Sequence, residues 1–399
     1  MITTINNKHK KLNVPNLRFK EFQGEWEKMR LDSFTKRVMR KNKSNQSRLP
    51  LTISAQYGLV DQITFFNKVV ASTDLSNYYL LKKGEFAYNK SYSSDYPWGA
   101  IKRLDNYDQG ALSSLYICFA PQDNVVSDFI LQYFESPKWH KGISEIAVEG
   151  ARNHGLLNVA VQDFFHTYHY VPKDKKEQIK ISKLLMLFDE RIATQSKIIE
   201  DLKMLKCAII EKVYSEIQGK EYSYGQLFDV VNERNKQMEY SNILSASQEK
   251  GMVNRDDLNL DIQFERSNIN TYKIVRKGDY VIHLRSFQGG FAFSDKLGVC
   301  SPAYTILRPN SLLEYGYLSN YFTSLRFIKS LVLVTYGIRD GRSINVDEWL
   351  RMKITIPPKE HQQYIVKVIG TFERKIEDEE AYAAQLSIQK QYLLRQMFI

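Results

Sequence analysis

YYLLKKGEFAYNKS, the stretch from Tyr78 to Ser91, returns in altered form as YKIVRKGDYVIHLR from Tyr272 to Arg285. Each copy has a short apolar run, then a basic residue followed by Lys-Gly and an acid, then a second apolar run. Apolar runs of this length predict β-strands, and the Lys-Gly-acid segment predicts a tight hairpin turn. A motif that occurs twice calls for a search for repeats along the whole chain.

Further matches follow in the same order along both halves of the sequence. Their offset shrinks along the chain, as small loop deletions would produce. The order of the matches predicts two copies of one mixed α/β unit, each followed by a helix. The matched segments are Ile53-Ser54-Ala55 with Leu244-Ser245-Ala246, Tyr133-Phe134 with Tyr321-Phe322, Gly150-Ala151-Arg152 with Gly337-Ile338-Arg339, and residues 181–192 (ISKLLMLFDERI) with residues 365–376 (IVKVIGTFERKI).

Residues 181–192 and 365–376 lie in the two segments with the clearest helical pattern. In both, apolar residues recur at alternating steps of four and three, which is the spacing of a coiled-coil seam. Each helix is expected to span about 40 residues, or about 60 Å at 1.5 Å per residue. An isolated helix would expose its seam to water, so we expect the two helices to pair. The expected seam residues are Leu185, Phe188, Ile192, Ile199, Ile369, Phe372, Ile376 and Leu386.

The composition favours a polyanionic partner. The formal net charge is +11 and the sequence pI is about 9.2, a balance that is common in nucleic-acid-binding proteins. No apolar stretch is long enough for a transmembrane helix, and Met1 to Lys20 lacks the apolar core of a secretory signal. The three cysteines, Cys118, Cys207 and Cys300, fit neither a disulfide framework nor a zinc site, so we expect a cytoplasmic protein.

Motifs for catalysis are missing from the sequence. It contains no G-x-x-x-x-G-K-[ST] loop for ATP. The one Pro-Pro pair, Pro357-Pro358, is followed by Lys359 and so does not form the Asn/Asp-Pro-Pro-aromatic motif of amino-methyltransferases. The histidines are scattered, so no metal site is expected. These observations predict a binding protein without catalytic residues.

The sequence resembles the specificity subunits of Type I restriction-modification systems over nearly its whole length. The residues that carry the resemblance are PNLRFKEFQGEWE (Pro15 to Glu27), the repeat itself, the helix entries at Pro172 with Glu177-Gln178 and at Pro358 with His361-Gln362, and the ending LLRQMF (Leu393 to Phe398). His361 departs from the glutamate that is usual at this position.

The resemblance implies a fold, a function and partners. It implies an α+β protein with two pseudo-repeated α/β target-recognition domains, separated by two long antiparallel coiled-coil-like helices. Such a protein reads a split, asymmetric site in double-stranded DNA and docks two modification subunits, through which restriction subunits join. S-adenosylmethionine, ATP and Mg²⁺ are then expected on the partners, with no cofactor in this chain. The expected boundaries are 1–22 for an N-terminal arm, 23–173 and 219–358 for the domains, and 174–218 and 359–399 for the helices.

Candidate DNA contacts fall into three groups. A basic run without acids from Lys36 to Arg48, and its weaker counterpart in the second repeat, could follow phosphates. Glycine followed closely by arginine occurs in both repeats, and arginine both clamps phosphates and reads guanine. Polar residues in dissimilar loops could read bases. The candidates are Lys36, Arg37, Lys41, Lys43, Gln56, Tyr57, Lys90, Tyr92, Arg152, Arg234, Lys236, Gln248, Arg285, Gln288, Arg339 and Arg342.

Three functions remain open at this point. The first is the DNA-specificity subunit. The second is a self-contained DNA methyltransferase or nuclease, which the missing motifs disfavour. The third is a coiled-coil scaffold that binds only protein, which the basic charge and the two large variable units disfavour. A solvated charged loop would also explain the basic run, and a structural ion pair would also explain the paired arginines.

Overall fold

Two units make up the structure, a computed structural model. Unit 1 consists of Met1–Gln195 and Tyr382–Ile399, and unit 2 consists of Ser196–Ala381. The residues that the structure describes are 2–4, 12–68, 72–147, 155–247, 250–257, 266–283, 290–336 and 343–399.

Unit 1 combines short strands with short helices and the first part of a long helix. Its helices are α1 (Gln62–Phe66), α2 (Ser127–Glu135), α3 (His140–Ile146), α4 (Val161–His166) and the start of α5 (Lys175–Ser215). Its strands are β1 (Ile2–Thr4), β2 (Leu17–Phe19), β3 (Glu27–Arg30), β4 (Thr35–Arg37), β5 (Pro50–Ser54), β6 (Gly58–Asp61), β7 (Tyr79–Lys82), β8 (Phe86–Asn89), β9 (Ala100–Arg103), β10 (Gln109–Leu112), β11 (Ile117–Pro121) and β12 (Tyr168–Val171).

The strands of unit 1 form two four-stranded sheets and two smaller pairs. One sheet has the order β6-β5-β10-β7, in which β5 and β10 are parallel. The other has the order β4-β11-β8-β9 and is antiparallel throughout. β3 pairs with β12, and β1 pairs with β2.

Unit 2 is built from the same kinds of element. Its helices are the rest of α5, α6 (Leu325–Ser330), α7 (Val346–Arg351) and most of α8 (Lys359–Gln396). Its strands are β13 (Lys220–Ser223), β14 (Phe228–Val231), β15 (Leu244–Ser247), β16 (Gly251–Asn254), β17 (Lys273–Val275), β18 (Tyr280–Ile282), β19 (Phe291–Phe293), β20 (Gly298–Cys300), β21 (Thr305–Pro309), β22 (Thr335–Tyr336), β23 (Ser343–Ile344) and β24 (Lys353–Ile356).

The strand order of unit 2 follows that of unit 1. The sheet β14-β21-β18-β19 has the order of β4-β11-β8-β9, and the pair β13-β24 corresponds to β3-β12. β15 pairs with β16 and β17 pairs with β20. A parallel bridge from Ile243 to Val299 lies where β5 and β10 run parallel in unit 1. β22 and β23 form a further pair.

The hairpin prediction for the Lys-Gly-acid motif is wrong. The chain does turn tightly at Gly84 and Gly278, both with positive φ, but the strands on either side do not pair with each other. β7 pairs with β10 while β8 pairs with β11 and β9, and the counterparts in unit 2 separate in the same way. The motif therefore joins two sheets within each unit.

The mixed α/β fold and the two long, packed helices that the sequence predicted are confirmed. α5 has 41 residues and α8 has 38. In unit 1, Asp189 of α5 pairs with Lys390 of α8. In unit 2, Lys206 of α5 lies 2.8 Å from Glu373 of α8. A second pair in each unit, Arg191 with Tyr382 in unit 1 and Lys203 with Glu380 in unit 2, gives the direction. Within each unit the α8 number falls as the α5 number rises, so the paired segments run antiparallel.

Both helices also contribute to the cores of the units. In unit 1, Ile181 and Leu185 of α5 join the core. So do Leu394 in the last turn of α8 and Met397 and Phe398, which follow that helix directly. In unit 2 the core takes Ile365 and Ile369 from α8 and Ile210 and Tyr214 from α5. Each core is thus closed by one helix beginning and one helix end.

The expected seam residues differ in burial. Leu185, Ile369, Ile376 and Leu386 are buried, whereas Phe188, Ile192, Ile199 and Phe372 are half-buried. Leu185 and Ile369 belong to the cores of their units. Direct helix-to-helix contact along the whole seam therefore stays a prediction.

A buried glutamine fixes the start of each long helix. Gln178 accepts a hydrogen bond from the backbone N–H of Val126 at 2.8 Å and donates to the carbonyl of Pro172 at 2.8 Å. Gln362 accepts from the N–H of Glu314 at 2.7 Å and donates to the carbonyl of Pro357 at 3.0 Å. The helix entries quoted from the sequence are therefore structural braces with the same role in both units.

A buried histidine links three elements of unit 1. The Thr167 hydroxyl donates to the Phe164 carbonyl at 2.8 Å, so it accepts from Nε2–H of His169 at 2.7 Å. Nδ1 then accepts from the Tyr133 hydroxyl at 2.9 Å. Burial lowers the pKa of His169 to about 3, because the charged form loses its hydration. Ile354 occupies the equivalent position on β24 of unit 2.

Replacing Phe398 with alanine should destabilise unit 1 alone. The Phe398 ring centroid lies 5.4 Å from that of Phe129 and 5.6 Å from that of Tyr133, and a buried Phe→Ala change costs about 3–5 kcal/mol. Hydrogen–deuterium exchange should speed up in β8 and β11 but not in β18 and β21. Tyr392→Ala, which removes an exposed ring of the same helix, is the control. Equal loss of protection in both units would contradict the assignment.

Acid should loosen unit 1 before unit 2. A histidine whose pKa is about 3 when folded and about 6.5 when unfolded stabilises the fold fully above pH 6.5. That stability falls as the pH drops toward 3, by roughly 1 kcal/mol per pH unit, because the unfolded chain binds the proton first. Exchange rates measured between pH 6.5 and 4 should show the effect in unit 1, and His169→Gln should flatten it. An identical pH profile in both units would refute this role for His169.

Candidate nucleic-acid interface

Two arginines near the basic candidates are used to hold the fold. The Glu85 carboxylate accepts from the N–H of Lys82 at 2.7 Å and binds Arg40 at 2.7 Å. Asp279 does the same in unit 2, accepting from the N–H of Arg276 at 2.8 Å and binding Arg308 at 2.9 Å through both carboxylate oxygens. The acid of the Lys-Gly-acid motif thus closes its turn and anchors an arginine from another segment of the unit. Arg40, part of the basic run, is structural.

The rest of the basic run lies on a strand and a loop. Lys36 and Arg37 are exposed on β4, an edge strand of its sheet. Exposed cations on an edge strand also prevent edge-to-edge pairing with other chains, so their position alone does not decide between the two roles. Lys41 is held in place, because its ammonium donates to the Asn77 carbonyl at 2.7 Å and lies 4.5 Å from the centre of the Tyr79 ring.

A buried asparagine organises the loop that follows Lys41, here called loop 1 (residues 41–47). Asn42 donates through Nδ2 to the carbonyls of Ser47 at 2.8 Å and Leu75 at 3.3 Å. Its Oδ1 accepts from the N–H of Ser47 at 2.8 Å, and its own N–H donates to the Tyr78 carbonyl at 3.0 Å. Lys43, the next residue, is exposed.

Unit 2 has the same arrangement in loop 2 (residues 234–240). Asn235 is buried and donates through Nδ2 to the carbonyls of Tyr240 at 2.7 Å and Ile269 at 3.5 Å. Its Oδ1 accepts from the N–H of Tyr240 at 3.2 Å, and its N–H donates to the Tyr272 carbonyl at 2.9 Å. Arg234 and Lys236 flank it and are exposed, so the structure brings these two candidates together.

The candidates Gln56 and Tyr57 are exposed in the turn between β5 and β6. They line a cleft of about 330 Å³ within unit 1. The cations of this cleft are paired: Lys102 lies 2.6 Å from Glu135, Arg103 lies 2.7 Å from Asp128, and Lys390 binds Asp189. The cleft therefore does not offer free positive charge to a phosphate.

The remaining described candidates of unit 1 lie after β8. Lys90 is half-buried, with its ammonium 3.5 Å from the Val159 carbonyl. Tyr92 is exposed, and its backbone N–H donates to the Gly155 carbonyl at 3.0 Å. Six candidates lie outside the described residues: Arg152, Gln248, Arg285, Gln288, Arg339 and Arg342.

Two aromatic residues that the sequence analysis missed lie beside Tyr57. Phe65 and Phe66 are each 44% exposed on α1, and Tyr57 is 68% exposed. The ring centroids of Tyr57 and Phe65 are 6.4 Å apart, and those of Phe65 and Phe66 are 5.0 Å apart. Contiguous exposed apolar surface marks an interaction site. The signal was the apolar pair at the end of QITFF (Gln62–Phe66), in a segment without a buried face.

Burial limits the reactivity of two of the three cysteines. Burial raises the pKa of the Cys118 and Cys300 thiols to about 12, so both are poor nucleophiles. Within the described ranges, no group of His, Cys, Asp or Glu is arranged to hold a metal ion. No helix in the described part of the chain is long and apolar enough to cross a membrane.

Comparison with known proteins identifies the second half of the sequence. Residues 219–387 match the family model described as the Type I restriction modification DNA specificity domain. Residues 219–387 are therefore similar in sequence to a DNA specificity domain of this type. The resemblance inferred from the sequence is thereby confirmed. No curated protein matches the sequence significantly.

Solved structures share the fold of this chain over most of its length. A chain from a structure on complex assembly and conformational transition of the type I R-M system matches with a TM-score of 0.59 and 14% identity, covering 94% of this chain and 97% of that one. The crystal structure of the Type-I restriction-modification S subunit from M. genitalium matches with a TM-score of 0.53 and 14% identity, covering 97% and 99%. At this identity the likeness concerns the fold, and it spans both units.

Proposed function

We propose that this chain is the non-catalytic, sequence-reading subunit of a Type I restriction-modification complex. The observation that carries the proposal is the match of residues 219–387 to a DNA specificity domain. The shared strand order supports extending the same role to unit 1. On this proposal residues 23–173 and 219–358 are target-recognition domains, residues 174–218 and 359–399 are spacer helices, and residues 1–22 form an arm.

Each domain would read one half of a split site in double-stranded DNA. The base-reading candidates differ between the units in sequence: Gln56 and Tyr57 follow β5, whereas Gln248 follows β15. Different readers select different bases, so the two half-sites should differ and the whole site should be asymmetric.

The long helices would dock two copies of a modification subunit. Exposed apolar residues occur at equivalent positions of the two helices: Ile198 and Met204 on α5 match Tyr382 and Ile388 on α8. Matching surfaces suit two copies of one partner. These partners would supply S-adenosylmethionine binding and methylation, and restriction subunits joined through them would supply ATP- and Mg²⁺-dependent cleavage, in the cytoplasm.

The purified chain should bind duplex DNA with steep salt dependence and leave it unchanged. Cations that neutralise phosphates release counterions, so the logarithm of the affinity should fall linearly with the logarithm of the salt concentration from about 50 to 200 mM. Fluorescence anisotropy with labelled duplexes measures this. Incubation with S-adenosylmethionine, ATP, Mg²⁺ and DNA should give neither methylation nor cleavage.

Two results would count against the proposal. A salt-independent affinity, or no binding to any duplex, would favour a protein-binding scaffold. Robust turnover by the homogeneous chain would favour a self-contained enzyme.

The paired helices would also act as the ruler of the split site. A helix of 41 residues is about 60 Å long, whereas half-sites on one face of B-DNA lie about 34–36 Å apart. Such a helix pair is long enough to set that separation. Its length would then fix the gap between half-sites and leave their bases to the domains.

Lengthening both helices by one turn should widen the gap between the half-sites. Four residues inserted after Gln195 and four after Ala383 add about 6 Å to each helix, and they leave the Asp189–Lys390 and Lys206–Glu373 pairs in register. The gap should grow by one or two base pairs at about 3.4 Å each. Mapping methylated sites in cells that make the lengthened chain with its partners tests this. An unchanged gap, or altered half-site bases, would show that the helices are not the ruler.

A further inference from the structure

Loop 1 of unit 1 and loop 2 of unit 2 share one arrangement of residues. Each has a buried asparagine between two basic residues, as Lys41-Asn42-Lys43 and as Arg234-Asn235-Lys236. In each, the basic residue before the asparagine forms an isolated bridge to the first residue of a later strand: Lys41 to Tyr79 of β7, and Arg234 to Lys273 of β17. The surrounding sequences share little else.

We propose that Asn42 and Asn235 are positioning residues that hold Lys43 and Lys236 against the sugar–phosphate backbone of double-stranded DNA, one lysine at each half-site. The inference rests on the proposed DNA-reading function. It assigns these two lysines to contacts that do not depend on base sequence.

The asparagines are placed to fix the loops. A side-chain amide loses its hydration when it is buried and must regain hydrogen bonds from the protein. Asn42 and Asn235 do so with both the N–H and the carbonyl of the residue five positions later, Ser47 and Tyr240. Each also reaches a more distant carbonyl, that of Leu75 or Ile269. A single side chain thereby closes each loop and ties it to another segment of its unit.

The loops also hold strained backbone. Ser44 and Asn45 in loop 1 have φ of 55° and 52°, and Met238 in loop 2 has φ of 53°. Residues other than glycine adopt this conformation only when their surroundings impose it, and such strain concentrates at functional sites. The strained residues lie one or two positions after Lys43 and two positions after Lys236. The surroundings therefore fix the backbone of the segments that carry these lysines.

The lysines themselves face solvent. Lys43 and Lys236 are both exposed, whereas Lys41 is tied to the Asn77 carbonyl and the Tyr79 ring. A fixed loop with an exposed cation suits a fixed anion. Lysine binds phosphate as a point charge, while base reading favours the planar, bidentate arginine side chain.

The presence of the same loop in both units favours contacts to the DNA backbone over contacts to the bases. If the two half-sites differ in sequence, a contact made in the same way by both units must address what the half-sites have in common. That common feature is the phosphate backbone, and such contacts set the position of a protein on DNA without selecting sequence.

Lysine variants of the full chain test the assignment directly. Lys43→Gln and Lys236→Gln should each lower the slope of log affinity against log salt by about 0.9, and the double variant by about 1.8. The loss should be equal on two duplexes of unrelated sequence. Lys183→Gln, an exposed lysine of α5, makes the same charge change away from the loops and should leave the slope unchanged.

Asparagine variants test the positioning role. In the folded protein, Asn42→Ala should weaken DNA binding as much as Lys43→Gln does, and adding Lys43→Gln to it should cost nothing more. A residue that only stabilises the fold would leave affinity unchanged or act additively with the lysine. Asn42→Asp, which keeps Oδ1 as an acceptor but loses the two donated bonds, serves if the alanine variant does not fold. Asn235 and Lys236 provide the same cycle in unit 2.

The outcomes separate this inference from the function it rests on. If the wild-type chain binds no duplex, the proposed function and the inference both fall. If it binds and the lysine variants keep the wild-type slope, the inference alone falls. A loss confined to one DNA sequence would make the lysines base readers and would also overturn it.

Discussion

Neither unit can close its core without segments that are far apart in the chain. Unit 1 takes Ile181 and Leu185 from the start of α5, and Phe398 from just after the end of α8. Unit 2 takes Ile365 and Ile369 from the start of α8, and Tyr214 from the end of α5. Tyr214 and Phe398 occupy matching positions of the repeat, so both cores are completed by equivalent residues. The long helices are therefore part of each unit, and a change in a helix end acts on the core that it closes.

The polar contacts that fix the helix starts show which parts of the repeat are interchangeable. Gln178 and Gln362 make the same two bonds in both units, so the glutamine is required wherever a helix leaves a unit. The residue before the glutamine differs between the units. Glu177 is buried and binds Arg18 at 2.7 Å, and it also accepts from the Trp26 indole at 3.2 Å. A buried carboxylate needs such a partner. His361 stands at the equivalent position in unit 2 and is exposed.

The sequence predicted features that depend on local spacing and missed those that depend on distant partners. Heptad spacing predicted two long helices, and the repeating segments lie within Lys175–Ser215 and Lys359–Gln396. The Lys-Gly-acid motif was correctly predicted as a turn, but strands of three or four residues take their pairing partners from distant segments, so the hairpin was wrong. The basic candidates of loops 1 and 2 were found by charge. The asparagines between them were not, because the carbonyls of Leu75 and Ile269 that they bind lie more than thirty residues away.

Many cations behind the net charge of +11 are paired with carboxylates, so they contribute little to binding an anion. Arg18, Arg40, Lys102, Arg103 and Arg308 are each bound to a carboxylate at 2.9 Å or less. Ion pairs such as these hold strands and helices together, and their cations have already exchanged hydration for a protein partner. A phosphate would have to displace that partner. Exposed cations on a rigid loop need no such exchange, and their attraction for phosphate is limited mainly by salt screening. On the proposed DNA-reading function, contacts to phosphate are therefore better sought in loops 1 and 2 than in the cleft, whose three cations are paired.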